Sequence, residues 1–311
     1  MQLRPKDNIV VDDHLFFAVV SDIQEDDRAL AFLRYIKDAQ GMHKLNTEQA
    51  QQYIQKTCPE FLFHSQQADI DLHGIPLSLI DQVLRPEQTI TRLLTVTEPD
   101  NKQLDAINMI RLLLNAGIRQ KSIGITGSIM LNAHNIDSDI DMVIYGREPF
   151  YKVRASIKHY IDSGELKALN EAMWQDAYQR RDCSLVFEEY CQHEKRKFNK
   201  CISGNSKVDI SMIPASDEQF VEFGPHKKMG KEKIIAHVLD DTFAFDFPAR
   251  FYIDHDDIEE VIVYTATYVG QAVLGEKIEA AGYIEQDQGG KKRLVVGTSR
   301  EAVGEYIRVV E

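Results

Sequence analysis

Two short stretches decide the fold of this chain, and they read IGITGS at residues 123–128 and DSDIDMVIYG at residues 137–146. The first predicts an apolar strand followed by a tight Gly-Ser turn. The second predicts another strand, in which Asp139 and Asp141 are two positions apart. Because residues i and i+2 of a strand point to the same face, the two carboxylates are predicted to lie side by side.

The paired carboxylates and the Gly-Ser turn together predict a site for a metal-bound triphosphate. Asp139 and Asp141 repel each other unless a cation lies between them, and Mg²⁺ takes oxygen ligands while leaving room for substrate phosphates. Gly127 lets the backbone approach a phosphate closely. The helical turn that follows directs free amide N–H groups at the same anion. A surface hairpin that is acidic by chance is the alternative.

The spacing of Gly-Ser, ten intervening residues and Asp-x-Asp resembles the signature of the DNA polymerase β-like nucleotidyltransferase superfamily. This resemblance implies that Asp139 and Asp141 bind two Mg²⁺ ions, with Mn²⁺ as a substitute. It also implies that Gly127 and Ser128 hold the phosphates of an NTP such as ATP, whose nucleoside monophosphate is transferred to an acceptor hydroxyl. The Ser-Asp-x-Asp form of the signature favours this pair over a shifted pair that begins at Asp137.

A third carboxylate is expected on a neighbouring strand, because superfamily members commonly have one there. Residues 206–213 alternate apolar and polar side chains, which predicts a half-buried strand with Asp209 on its polar face. The resemblance implies that Asp209 completes the metal site and helps to accept the proton of the attacking hydroxyl. A plain exposed aspartate is the alternative.

A basic side chain is expected to contact the phosphates, and the sequence leaves six candidates open. They are Arg147, Lys152, Arg154, Lys195, Arg196 and Lys197. The net charge of −13 argues against a broadly basic nucleic-acid-binding surface, but two local basic segments exist. One comprises Arg180, Arg181, residues 195–197 and Lys200, and the other comprises residues 226–228, Lys231 and Lys233. Solvated surface is the alternative for both and the favoured interpretation of the second.

Length and composition indicate a globular protein with two or three domains. The chain has 311 residues, of which 43% are hydrophobic and 27% are charged. No apolar run approaches the roughly 20 residues of a membrane span, and the N-terminus lacks the apolar core of a signal peptide. Four cysteines are too few for a disulfide scaffold. We therefore expect a cytoplasmic protein without membrane partners.

The order of predicted elements gives an α+β fold class with three domains. Residues 1–85 are expected to form an N-terminal α+β module, and Arg85-Pro86 marks its end because proline disfavours helix in the residue before it. Residues 86–215 form the predicted nucleotidyltransferase domain, a mixed sheet with helices. In residues 216–311 short apolar runs recur at regular spacing, which predicts a small β-barrel or sandwich.

Over nearly its full length the chain is similar to predicted stand-alone nucleotidyltransferases of archaea and some bacteria. Outside the Gly-Ser core, this similarity rests on residues 33–35, 84–87, 270–272 and 275–276. The leading functional hypothesis is therefore transfer of a nucleoside monophosphate to an acceptor for which RNA is a candidate. Transfer to a protein, as in the minimal nucleotidyltransferases of toxin–antitoxin pairs, is a second hypothesis. A non-catalytic nucleotide- or RNA-binding module is a third.

Overall fold

The contacts of the computed structural model divide the chain into two compact units, Met1–Ile144 and Tyr145–Glu311. The residues that it describes are 1–66, 70–181, 183–218, 226–298 and 302–311. The division at residue 144 differs from the three domains expected from sequence patterns, and the boundaries after residues 85 and 215 stay a prediction.

The first unit contains an antiparallel sheet of seven strands. These are β1 Asn8–Val11, β2 Leu15–Glu25, β3 Arg28–Asp38, β4 Gly41–Lys44, β5 Leu62–Ser65, β6 Ile70–Pro76 and β7 Gln82–Leu84. Their order is β5-β6-β3-β2-β1-β7, with β4 paired to β3. Asp26 and Asp27 form the turn between β2 and β3 with φ of 51° and 56°, a left-handed conformation that aspartate tolerates better than most residues.

One face of this sheet and helix α1 Thr47–Thr57 enclose a hydrophobic core. Alternate residues of β2 are buried, as the period of two requires, and they include Phe17. Helix α1 contributes Ala50 and Ile54 to the same core and begins with a capping box between Asn46 and Gln49. The N-terminal segment therefore has the α+β character that its sequence predicts.

The rest of the first unit consists of two helices and the elements that present Asp141. They are α2 Pro86–Thr95, α3 Asn101–Asn115, β8 Ile123–Ile125, the short helix α4 Gly127–Met130 and β9 Ile140–Tyr145, whose last residue belongs to the second unit. Arg85 is extended, with φ −109° and ψ 133°, and Pro86 opens α2, as the Arg-Pro pair predicts. A Cβ added to Gly124 would lie 2.6 Å from Cβ of Pro86, so the start of α2 packs directly on β8.

The second unit begins with three helices and a hairpin. They are α5 Arg147–Ser163, α6 Glu171–Gln179, α7 Phe187–Arg196, β10 Lys200–Ser203 and β11 Ser206–Ile213. Helix α5 buries Phe150, Val153 and Ile157 on one side and ends at Gly164, whose φ of 84° suits a C-terminal glycine. The spacing of three and four residues between these side chains and the glycine that ends the helix are the pattern of an amphipathic helix in the sequence.

The C-terminal part of the second unit is a closed β-barrel. Its strands are β12 Lys227–Asp240, β13 Ala249–Ile253, β14 Ile258–Val263, β15 Lys277–Gln286, β16 Lys292–Val296 and β17 Tyr306–Val309. The ring β12-β13-β14-β16-β15 closes because β15 also pairs with β12, and β17 adds to β15 beyond the end of β16. The β14–β16 pair is parallel and the others are antiparallel.

The barrel confirms one of the two architectures expected for residues 216–311. The apolar run over residues 261–273 favours one continuous strand, but the strand ends at Val263 because turns occupy residues 266–270. Over the residues that the structure describes, no helix combines the length and the apolar character that crossing a bilayer requires.

Candidate functional site

Asp141 is held by the pairing of β8 with β9. Ile123 pairs with Ile144 and Ile125 pairs with Met142, and these four side chains are at most 1% exposed. Asp141 itself is exposed, although Val143, two positions on and on the same face of the strand, is buried. The apolar side chains fix the strand, so the carboxylate is presented from a rigid element.

The Gly-Ser turn lies directly beside this carboxylate. Gly127 has φ of +66°, and a Cβ added to it would lie 2.5 Å from Oδ2 of Asp141. A side chain at position 127 would therefore fill the space into which Asp141 points. Glycine is required here both by the left-handed backbone and by the close approach. The sequence prediction that this turn and Asp141 lie together is consistent with this arrangement.

Three hydrogen-bonded groups fix the turn. The Thr126 N–H donates to the Asp141 carbonyl oxygen at 3.0 Å, and the Thr126 hydroxyl donates to the carbonyl oxygen of Lys6 at 2.9 Å. At the other end of α4 the Arg92 guanidinium donates to the carbonyl oxygens of Ile129 and Met130, at 2.6 and 3.2 Å. Sequence patterns gave no role to Arg92, since nothing local marks it as the cap of a helix 35 residues on.

Asp139 lies immediately before β9, which begins at Ile140. It was expected within the strand, beside Asp141. The connector before it is ordered by side-chain hydrogen bonds: the Asn135 N–H donates to the Ser138 hydroxyl at 3.0 Å, and the Asp137 N–H donates to Oδ1 of Asn135 at 3.0 Å. Asp137 thus belongs to a turn, whereas Asp139 adjoins the strand. Asp139 is half-buried and Asp137 is exposed.

Tyr35 of β3 is a neighbour of Asp141 to which the sequence patterns assigned no role. It is 5% exposed and packs with Met130 and Leu131, and burial together with the charge of Asp141 raises the pKa of its hydroxyl. The only signal was its presence in the short segment 33–35 that resembles stand-alone nucleotidyltransferases. A buried tyrosine on a strand usually serves packing alone.

Asp209 lies on β11 in the second unit and is surrounded by ammonium groups. It pairs in register with Lys200 of β10, whose Nζ is 3.8 Å from Oδ1 of Asp209. Lys207 Nζ is 3.6 Å from Oδ2. The strand and its polar face are as predicted, and the side chain of Asp209 is 30% exposed.

A buried ion cluster supports Lys200. Glu194, on α7, accepts from Lys197 Nζ and from Lys200 Nζ, both at 2.5 Å, and its side chain is 1% exposed. Lys197 also donates to the carbonyl oxygen of Thr267 at 2.9 Å. Burial lowers the pKa of Lys197 to about 8 although Glu194 opposes the shift. Lys197, Lys200 and Glu194 thus form a buried cluster within the second unit, and Lys200 connects this cluster to Asp209.

The six candidates for phosphate contact separate into two groups. Four are half-buried or buried and are used in packing within the second unit: Arg147 pairs with Asp246, Arg154 stacks on Phe245, Arg196 pairs with Glu276, and Lys197 pairs with Glu194. The exposed members are Lys152 and Lys195. In the first basic segment, Arg196, Lys197 and Lys200 are paired within the second unit. Arg180 and Lys195 are exposed, so the segment is not one continuous surface patch.

The residues of the first unit fit a divalent cation. Asp139 and Asp141 supply carboxylate oxygens two positions apart, which suit Mg²⁺, and the absence of a side chain at Gly127 leaves open the space before Oδ2 of Asp141. Among the residues that the structure describes, no three His, Cys, Asp or Glu side chains form a group that could hold a metal ion. The set of Asp139, Asp141 and Asp209 therefore stays a prediction.

Comparison with known proteins identifies the family. Residues 110–212 match the model of the nucleotidyltransferase domain, and this range contains the Gly-Ser turn and all three aspartates. An uncharacterized protein of Methanocaldococcus jannaschii is 32% identical over 338 aligned positions, which cover 99% of each chain. The chain belongs to the polymerase β-like nucleotidyltransferase family. No solved structure matches it significantly.

The match to the nucleotidyltransferase domain model supports what the sequence signature predicted in general terms. The domain is one of transferases that act on nucleotides, and the archaeal relative agrees with the expected similarity to stand-alone archaeal nucleotidyltransferases. The alignment with the relative covers the residues of the barrel as well as the matched domain.

Proposed function

We propose that this nucleotidyltransferase transfers a nucleoside monophosphate from an NTP to a hydroxyl group of RNA and releases pyrophosphate. One observation supports the proposal above the others, namely the contact between the Gly-Ser turn and the carboxylate of the adjacent strand. Oδ2 of Asp141 would lie 2.5 Å from any Cβ at position 127, so the glycine leaves a space bordered by a carboxylate. A metal-bound triphosphate has the charge and the small cross-section that such a space accommodates.

The residues of the site divide the work of binding. Gly127 gives the β- and γ-phosphates access to the backbone, and the Ser128 hydroxyl and N–H donate to their oxygens. Asp139, Asp141 and Asp209 would hold two Mg²⁺ ions, or Mn²⁺, which when bound neutralise the triphosphate and lower the pKa of the attacking hydroxyl. Lys152 and Lys195 are the exposed cations among the phosphate-contact candidates.

The proposed reaction is an in-line displacement at the α-phosphorus. The acceptor hydroxyl oxygen forms a bond to that phosphorus while the bond to the bridging oxygen of the β-phosphate breaks. The electron pair of the broken bond leaves with pyrophosphate, and the hydroxyl proton passes to the carboxylate of Asp209 or through it to water. Lys200 and Lys207, each within 4 Å of Asp209, orient this carboxylate.

The test uses the full-length protein with Mg²⁺, total RNA and each of the four NTPs labelled in turn at the α- and the γ-phosphate. We expect label from one or more α-labelled NTPs to enter RNA with release of an equal amount of pyrophosphate, and we expect no transfer from γ-labelled NTP. Transfer of the γ-label would instead identify a phosphotransferase. Absence of transfer from every NTP would contradict the proposal.

The same assay separates the two rival functions. If the label enters protein and not RNA, the enzyme modifies a protein acceptor. If the protein binds NTP by calorimetry but transfers none of it to RNA or protein, the domain is a non-catalytic nucleotide-binding module. The range of acceptors can then be narrowed by repeating the reaction with RNA whose 3′ hydroxyl groups have been oxidised by periodate.

A further inference from the structure

The first half of β12 is the most basic exposed segment of the barrel. Every residue from Lys227 to Lys233 is exposed, and the segment contains four lysines and one glutamate in a chain whose net charge is −13. From Ile234 onward alternate residues are buried in the barrel. Because side chains alternate along a strand, Lys231 and Lys233 project from the outer surface of the barrel.

Strand pairing places two tyrosines beside these lysines. Lys231 pairs with Tyr283 of β15, and its Nζ lies 5.0 Å from the centre of the Tyr283 ring. Lys233 pairs with Ala281, which on its other side pairs with Tyr306 of β17. Since directly paired residues point to the same face of a sheet, these side chains share one surface. We call Lys231, Lys233, Tyr283 and Tyr306 the Lys/Tyr face.

The acidic group within this surface is compensated. Glu279 accepts from the Tyr306 hydroxyl at 2.6 Å, its Oε1 lies 2.8 Å from Arg308, and its Oε2 lies 3.5 Å from Lys233. The Tyr306 hydrogen bond first, and then these cations, lower the pKa of Glu279. Glu189 pairs with Arg308. The four lysines of β12 and Arg308 of β17 outnumber the three carboxylates of Glu189, Glu232 and Glu279.

We propose that the Lys/Tyr face binds single-stranded RNA and so captures the acceptor. Lysines spaced along a strand suit successive phosphates, and the half-buried rings of Tyr283 on β15 and Tyr306 on β17 are aromatic surfaces beside those lysines on which unpaired bases can stack. Ala281, which has a small side chain, lies between Lys233 and Tyr306 in the strand pairing. An acidic protein segment would satisfy the lysines but would have no use for the two rings. The identification of the RNA as acceptor rests on the proposed function, whereas the binding itself does not.

The experiment measures binding of a fluorescein-labelled 12-nucleotide RNA and the corresponding DNA to the full-length protein by anisotropy at two salt concentrations. The double variant Lys231→Glu/Lys233→Glu should bind RNA at least about tenfold more weakly and show a shallower dependence on salt. Tyr283→Ala should weaken binding by about fivefold or more, whereas Tyr283→Phe, which keeps the ring, should match the wild type. Lys158→Glu, a charge reversal on an exposed residue of α5, is the matched control and should also match it.

Several outcomes would overturn the inference: unchanged affinity in the double variant, an equal loss in Lys158→Glu, or equal losses in both Tyr283 variants. Competition by polyglutamate as effective as that by RNA would indicate an acidic protein partner instead, and tighter binding of DNA than of RNA would argue against an RNA acceptor. Equal binding of both nucleic acids, or preference for RNA, supports it. Transfer activity is a separate readout, because Asp141→Asn should abolish transfer and retain RNA affinity. If the double variant bound RNA normally while wild-type protein still labelled RNA, this inference would fail and the proposed function would stand.

Discussion

Asp141 and Asp209 are both presented from a short strand, but their surroundings differ in kind. Asp141 lies in the otherwise apolar strand β9 and points toward a glycine, so its position depends on backbone shape and on space. Asp209 lies between the ammonium groups of Lys200 and Lys207. Lys200 also contacts the buried carboxylate of Glu194. The same residue type is thus controlled by sterics in the first unit and by charge in the second, and changes of space and of charge should affect the two sites differently.

The largest effect is expected for Asp141→Asn. Loss of the charge removes a metal ligand, and we expect turnover to fall by about 10³-fold or more, which corresponds to roughly 4 kcal/mol or more of transition-state stabilisation. Folding should be unaffected or slightly improved, because one of two repelling carboxylates is gone. Initial rates with α-labelled NTP and urea unfolding test both statements. Asp137→Asn, in the turn before β9, is the control, and equal activity of the two variants would remove Asp141 from the site.

Asp209→Ala should have a smaller effect that falls on turnover. We expect a loss of about 10²-fold in kcat, or roughly 3 kcal/mol, with little change in affinity for NTP, since the Gly-Ser turn and the first two acids hold the nucleotide. Comparison of kcat with the NTP dissociation constant from calorimetry separates these two effects. Asp162→Ala on α5 provides a control for removal of an exposed carboxylate. Wild-type turnover in Asp209→Ala would show that this carboxylate serves only to compensate the lysines around it.

Gly127→Ala tests the steric half of the comparison. Gly127 and Gly164 both have positive φ, of 66° and 84°, but no atom lies within 4 Å of a Cβ at Gly164 whereas Asp141 lies in the way at Gly127. Because both backbones are left-handed, alanine should lower the free energy of unfolding by about 1–2 kcal/mol at either position. Affinity for NTP, measured by calorimetry, should fall only for Gly127→Ala, by about tenfold or more. Equal NTP affinity in the two variants would mean that the turn is purely structural.

The smallest effect concerns one buried histidine in each unit. Burial lowers the pKa of His73 and of His193 to about 4, and for His193 the neighbouring Arg196 and Lys197 add to the shift. Both rings accept a backbone hydrogen bond, His73 Nδ1 from Leu33 at 3.0 Å and His193 Nε2 from Val309 at 3.4 Å. The folded protein therefore keeps them neutral.

The pKa of each ring is lower in the folded protein than in the unfolded chain. Well above pH 6.5 both states are neutral, and neither ring affects the free energy of unfolding. Below pH 6.5 the unfolded chain takes up protons that the folded protein does not, so both rings destabilise the folded protein. We expect a loss of about 1 kcal/mol per histidine between pH 7 and pH 5.5. His73→Asn, whose carbonyl oxygen can replace Nδ1 as acceptor, should remove its share of this loss in urea unfolding at the two pH values. His159→Asn, an exposed residue of α5, should leave the pH dependence unchanged. An identical pH dependence in wild type and His73→Asn would contradict the assignment.

Local patterns were sufficient for most elements of the fold. The apolar run before Gly127, the alternation around Asp209, the helix that ends at Gly164 and most barrel strands lie where period and turn residues predict. These features depend on neighbours in the sequence, so each leaves a local signal.

Local patterns were not sufficient for the partners of charged side chains. Arg147, Arg154, Arg196 and Lys197 resemble phosphate ligands in the sequence, yet each is used in a contact within the second unit. Their partners are distant in sequence for three of the four, and a charged residue has no periodicity that reveals its partner. The contacts of Arg92 with α4 and of Tyr35 with the site of Asp141 were missed because their partners are also distant in sequence.

The sequence by itself determined the nucleotidyltransferase signature, the α+β class and the presence of a C-terminal β-structure, because residue type and spacing along one strand or turn are enough to specify them. Only the tertiary structure decided that the C-terminal strands close into a barrel, that Lys231 and Lys233 share a surface with Tyr283 and Tyr306, and that Asp141 directly opposes Gly127. Each of these depends on register between strands or on close approach across a turn. Such distances arise from packing of the whole unit, and no local run of residues encodes them.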